Sequence, residues 1–163
     1  MTQMFFKTKN GTILLELLIV ISIVIFMSLA LFLISGNKNA ALEVDSAAQQ
    51  IAAQLRELQN DALNGRQIDG ISSCLFKFGS DSIDTYAVSY YDCASPANLI
   101  KQMPAVKLKN VTVGVSALGA VAFSTPLGKP SGAVDVVITS INDLSVKMLI
   151  SINVDGNIVI SKI

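Results

Sequence analysis

Residues Lys7–Ser35 read KTKNGTILLELLIVISIVIFMSLALFLIS, and the fold turns on how they are read. Thr12 to Ser35 holds a single charge, Glu16, and the eighteen residues from Leu17 to Ile34 hold none. At about 1.5 Å per residue, some twenty helical residues cross a hydrocarbon layer about 30 Å thick. The stretch is therefore predicted to be a membrane-spanning helix. It is too long for a cleaved secretory core of about 7–15 residues, and no small-residue cleavage site comes after it. Lys7 and Lys9 precede it without an acid, so the positive-inside rule keeps the N-terminus cytoplasmic and exports the chain beyond Ser35. A carboxylate at the bilayer centre costs on the order of 2.5–3.5 kcal/mol and normally has a partner and a function. Glu16 needs such a partner.

The rest of the composition narrows the classes. A chain of 163 residues fits one folded domain with accessories. Lys plus Arg and Asp plus Glu are equal at 12 each, so no net field steers the chain toward nucleic acid. The absence of His removes the commonest general base and metal ligand. No nucleophile elbow, phosphate loop or metal motif is visible, so neither catalysis nor a cofactor or metal is expected. Lys101, Lys107 and Lys109 form a loose basic cluster. Their neighbours are Met103, Val106 and Leu108 rather than aromatics, so lysines facing solvent from a strand are expected and nucleic acid is not an expected partner. Asp81, Asp84 and Asp92 lack the ligand spacing of a calcium loop and fit an exposed turn.

Beyond Gly36 the helical period resumes. Ala41, Val44, Ala48, Ile51, Leu55, Leu58 and Ala62 recur at spacings of three and four, one apolar stripe on an amphipathic helix. Asn64-Gly65 is its expected stop. Thr12 to Asn64 would make a rod of roughly 80 Å if unbroken. From Ile71 the pattern becomes short β-branched and aromatic runs: Cys74–Phe78, Tyr86–Tyr91, Val106–Val115, Ala120–Phe123, Ala133–Thr139, Ser145–Val154 and Asn157–Ile163. Gly79–Ser82 reads as the first turn, Thr125–Gly132 as a loop and Asp155-Gly156 as a two-residue hairpin turn. The expected architecture is α+β: a long N-terminal helix, membrane-embedded in its first half, packed on an antiparallel sheet. Cys74 and Cys93 fall on or beside the first two strands. In an exported compartment they read as a disulfide, with two free buried thiols as the alternative.

Gly11 followed by Thr12-Ile13-Leu14-Leu15-Glu16-Leu17-Leu18, behind a leader with Lys7 and Lys9, resembles the type IV pilin and type II secretion pseudopilin superfamily. The resemblance implies a basic prepilin leader (1–11), a transmembrane and assembly helix (12–35), its amphipathic continuation (36–65) and an exported antiparallel β-domain (66–163). It also implies that a prepilin peptidase cuts after Gly11 and that Thr12 is then N-methylated, with Glu16 the fifth mature residue. Thr12 stands where Phe or Met is common, Ile13 where Thr is frequent, and Leu33 where many major pilins have Pro. That proline's loosening of the helix would pass to Gly36. The stretch Ala47–Ala62 and the text VAFSTPLGKPSGAVDVVI…VKMLISINVDGNIVIS (Val121–Ile138 and Val146–Ser161) are similar to H-type pseudopilins and FimT-like minor pilins.

The resemblance gives Glu16 its partner. Cleavage would free an α-amine on Thr12 close to the apolar layer, and a carboxylate four residues along the same helix cannot easily fold back to it. The amine of a staggered neighbouring subunit is within reach, and each charge then offsets the other in low dielectric. The expected function is that of a filament subunit, either a minor pilin or a pseudopilin. Expected partners are the prepilin peptidase, other pilin or pseudopilin subunits, an assembly platform protein with its ATPase machinery, and the cytoplasmic membrane. The expected location is that membrane, then a filament in the periplasm or at the cell surface. The alternative is an uncleaved, single-pass anchored β-domain serving binding or adhesion.

Overall fold

The computed structural model describes residues 10–95, 97–116 and 119–163, with side chains throughout except at 10–14 and 31–38. Lys7 and Lys9 lie outside the described residues, and Gly11 and Thr12 are described only as helical backbone. The chain divides into two compact units, Met1–Lys38 and Asn39–Ile163. A single helix, α1 (Asn10–Asn64), contributes residues to both.

In the first unit every described side chain from Leu15 to Ala30 is exposed. Among the described residues no helix is long and apolar enough to cross a membrane. The uninterrupted run of described side chains there stops at Ala30, short of the expected span's end at Ser35.

In the second unit the helical stripe forms the spine of the core. Val44, Ala48, Ile51, Leu55, Leu58 and Ala62 are fully buried. Ala41 is exposed, and Ala40 is buried in its place. Four residues before Val44 the helix still presents its packed side, since a turn takes 3.6 residues, whereas three residues before it the side chain has left that side. Burying each large aliphatic of the stripe stabilises the fold by about 1.5–3 kcal/mol before entropy is counted. The helix stops as expected. Gly65 takes φ 60°, and Arg66 N–H donates to the Asp61 carbonyl at 3.1 Å, the long bond of a Schellman cap.

The strands are β1 (Gln67–Ile68), β2 (Ile71–Ser82), β3 (Thr85–Asp92), β4 (Leu99–Gln102), β5 (Val106–Lys107), β6 (Val111–Val115), β7 (Ala120–Ser124), β8 (Lys129–Pro130), β9 (Val134–Ser140), β10 (Lys147–Ile152) and β11 (Ile158–Lys162). All pair antiparallel, but in two sheets rather than the one expected. The first has the order β4-β3-β2-β7-β8, with β1 on β2 and β5 on β3; the second has the order β11-β10-β9-β6. The run Val106–Val115, expected as one strand, is cut at Asn110. That residue takes φ 56°, a conformation asparagine tolerates, and its amide donates to Glu43 Oε1 on α1 at 2.9 Å. The chain changes sheets at this break. Gly79–Ser82 continues β2 instead of turning, because Gly79 pairs with both Ala87 and Ala120 in the middle of a sheet, and the turn falls at Ile83-Asp84. The last hairpin has a three-residue loop, with Asn153 N–H donating to the Asn157 carbonyl and Gly156 at φ 87°.

The cysteines are bonded to each other, with Cα atoms 4.7 Å apart. The β2–β3 register shifts between Ser73 and Leu75, so Cys74 is the extra residue of a β-bulge. The bulge explains why Ser73 and Phe76 both face inward although three residues apart. It also turns Cys74 toward Cys93, which lies just past the end of β3. Cross-linking a loop of this length contributes about 3 kcal/mol in the chain-entropy account. A double Cys74→Ser/Cys93→Ser chain is expected to lose about that much stability in urea titration. An unmoved midpoint would show that the bridge constrains nothing.

Candidate assembly site

The described part of the first unit is apolar on every face. Twelve large hydrophobic side chains between Leu15 and Leu29 are each at least 49% exposed, and Phe26 reaches 81%. Ser22 does not break this surface, because its hydroxyl donates to the Leu18 carbonyl at 2.8 Å within the helix. A helix apolar all round is a buried helix, covered by lipid or by other helices. Glu16 is exposed on this surface and takes part in no ion pair among the described residues.

Among the clefts that border α1 in the second unit, two are the larger. One, of about 340 Å³, lies against β3 and is walled by Val88, Met103, Pro104 and Val106, with Tyr90 and Arg66 beside it. Burial pushes the Tyr86 phenol up, while the hydrogen bond from Gln50 pulls it the other way. Burial also raises Tyr90, and the nearby Asp61 carboxylate adds to the effect. Arg66 is held protonated by its 2.7 Å hydrogen bond to Asp61. The other cleft, of about 440 Å³, is bordered by Leu42, Glu43, Gln50 and Leu108. There Glu43 Oε2 is buried without a hydrogen-bond partner among the described residues.

The basic cluster disperses. Lys101 lies 3.5 Å from Asp69, Lys107 lies 3.1 Å from Asp84, and Lys109 is exposed. The hydrogen bond from Lys107 holds the Asp84 carboxyl below its usual range. Asp92 accepts from the Ala94 N–H within its own turn. Exposed pairs of this kind add little stability, and two of the three lysines face carboxylates rather than forming one positive field.

The arrangement of α1 on two antiparallel sheets recurs in solved structures. The Pseudomonas aeruginosa type IV minor pilin FimU matches in two crystal forms, at TM-scores of 0.54 and 0.52 and identities of 15% and 14%. The matches cover 73% and 72% of this chain and 88% and 91% of FimU. EpsH, the minor pseudopilin of the Vibrio cholerae type 2 secretion system, matches at a TM-score of 0.55 and 11% identity, over 74% of this chain and 97% of EpsH. The fold is that of the minor pilins. No family model matches the sequence, and no curated protein matches it. In this minor-pilin fold the clefts beside α1, with Tyr86, Tyr90 and Glu43 at them, had no sequence signal. Their residue types are scattered over elements that only the pairing of strands brings together.

Proposed function

We propose that this chain is a structural subunit, a minor pilin or pseudopilin, of a type IV pilus-like or type II secretion filament. One observation carries the reading: a minor-pilin fold succeeds a helix whose exposed side chains are apolar on all faces around one carboxylate. In this reading a prepilin peptidase removes residues 1–11 and Thr12 is N-methylated. Residues 12–35 hold the precursor in the cytoplasmic membrane, with residues 66–163 exported. Glu16 then accepts the Thr12 amine of a neighbouring subunit. The chain performs no catalysis; ATP is consumed by the assembly machinery. The Ala47–Ala62 and Val121–Ile138 stretches favour the H-type pseudopilin and FimT-like group within the superfamily.

Sequencing the mature N-terminus in cells with and without a prepilin peptidase tests the reading. Thr12 is expected first when the enzyme is present, and Met1 when it is absent. A cut elsewhere, or an intact Met1 in both, would overturn it.

A further inference from the structure

The two sheets end in four main edges, and three of them are protected. The β4–β5 edge carries Lys101, Pro104 and Lys107. β8 is two residues long and one of them is Pro130. β6 gives its Val113 N–H to the Ile83 carbonyl at 2.7 Å, so the β2–β3 turn closes part of that edge. Proline, lysine, shortness and cover are the usual means by which an open strand avoids recruiting another. β11 has none of them from Ile158 to Ser161, where three successive residues are β-branched. Among the described residues only β10 pairs with it.

The backbone groups left open on β11 can be named. Asn153 N–H donates to the Asn157 carbonyl at 3.2 Å, and Ile163 N–H to the Lys147 carbonyl at 3.4 Å, which sets the phase of the β10–β11 ladder at both ends. Antiparallel ladders alternate between residues bonded to the partner strand and residues whose groups point away from it. Val159 and Ser161 are in phase with Asn157 and Ile163, opposite Ser151 and Leu149, and bond to β10. The N–H and C=O of Ile158, Ile160 and Lys162 therefore point outward.

We propose that this edge is a strand-addition site whose occupant is β11 of a second copy, running antiparallel about a two-fold axis at Ile160. In that register Ile160 faces the partner's Ile160, and Ile158 faces the partner's Lys162. Every outward group is then used, in about six hydrogen bonds. The central pair is β-branched and apolar, a favourable cross-strand combination, and no like charges oppose each other. The contact uses the same patch on both copies, so it closes as a dimer. It does not depend on the filament reading.

The test is the oligomeric state of the full chain in detergent, measured by analytical ultracentrifugation. The wild-type chain is expected to be a dimer. Ile160→Pro removes an outward N–H and leaves the β10 ladder untouched, so it is expected to give a folded monomer of half the protein mass that still melts cooperatively, at a lower temperature because the dimer contact and the Ile160 packing are lost. If that variant fails to fold, cysteines decide the matter. Ile160→Cys is expected to form a covalent dimer on mild oxidation, whereas Thr112→Cys on β6 is not. A monomeric wild-type chain, a dimer that survives Ile160→Pro, or equal cross-linking at Thr112 overturns the proposal.

Discussion

A Glu16→Ala chain is expected to insert into the membrane and be processed to Thr12, yet to enter filaments at roughly a hundredth of the wild-type level. The magnitude comes from the charge left behind. On the proposed pairing, loss of the carboxylate would leave the Thr12 ammonium of the neighbouring subunit unpaired near an apolar layer, where a charge costs on the order of 2.5–3.5 kcal/mol. About 1.4 kcal/mol is a factor of ten, so the loss is about a hundredfold. Glu16→Gln should behave like Ala, because an amide keeps the shape without the charge, and Glu16→Asp should retain part of the activity at shorter reach. Immunoblots of sheared filaments against membrane fractions separate assembly from insertion. Wild-type amounts of Glu16→Ala in the filament fraction would mean that the helix packs without this pair.

How much of the fold was legible depended on the range of the forces involved. The stripe from Val44 to Ala62 was readable because helical periodicity is local, and only its first residue was misplaced, Ala41 for Ala40. The Asn64-Gly65 stop was readable for the same reason. The division into two sheets was hidden in Asn110, whose left-handed backbone is fixed by a bond to Glu43, distant in sequence. Gly79 looked like a turn because its strand character comes from two neighbouring strands, not from its own preference. At the candidate site, the apolar run and its lone acid stand out in composition alone. The partner assigned to Glu16 is absent from any single copy of the chain, so neither sequence nor fold displays it. The open edge of β11 was illegible for a different reason: it emerges only when four strand edges are compared and the ladder's phase is known.

Phe76→Ala is expected to lower stability by about 3–5 kcal/mol, the usual cost of emptying a buried aromatic site. Phe76 is fully buried on β2, directly opposite Tyr90 on β3 and Phe123 on β7, so three aromatic side chains form one row across the sheet. Its ring meets that of Tyr90 edge-on, with centroids 5.6 Å apart and planes at 83°. This row belongs to the same core as Ile51, Leu55 and Leu58, so a cavity at Phe76 loosens the packing that couples α1 to the first sheet. Small domains have only about 5–15 kcal/mol in total, so the variant should lie near the limit of folding. The adjacent residue supplies the contrast. Lys77 points to the other face, with its ammonium 4.5 Å from the Tyr91 ring centroid, an interaction worth about 0.5–1 kcal/mol at an exposed site. Urea titrations of Phe76→Ala and Lys77→Ala should therefore differ severalfold in lost stability. If the two variants lose equal amounts, the aromatic row does not hold α1 to the sheet, and the stability of the second unit rests on the helical stripe and the second sheet instead.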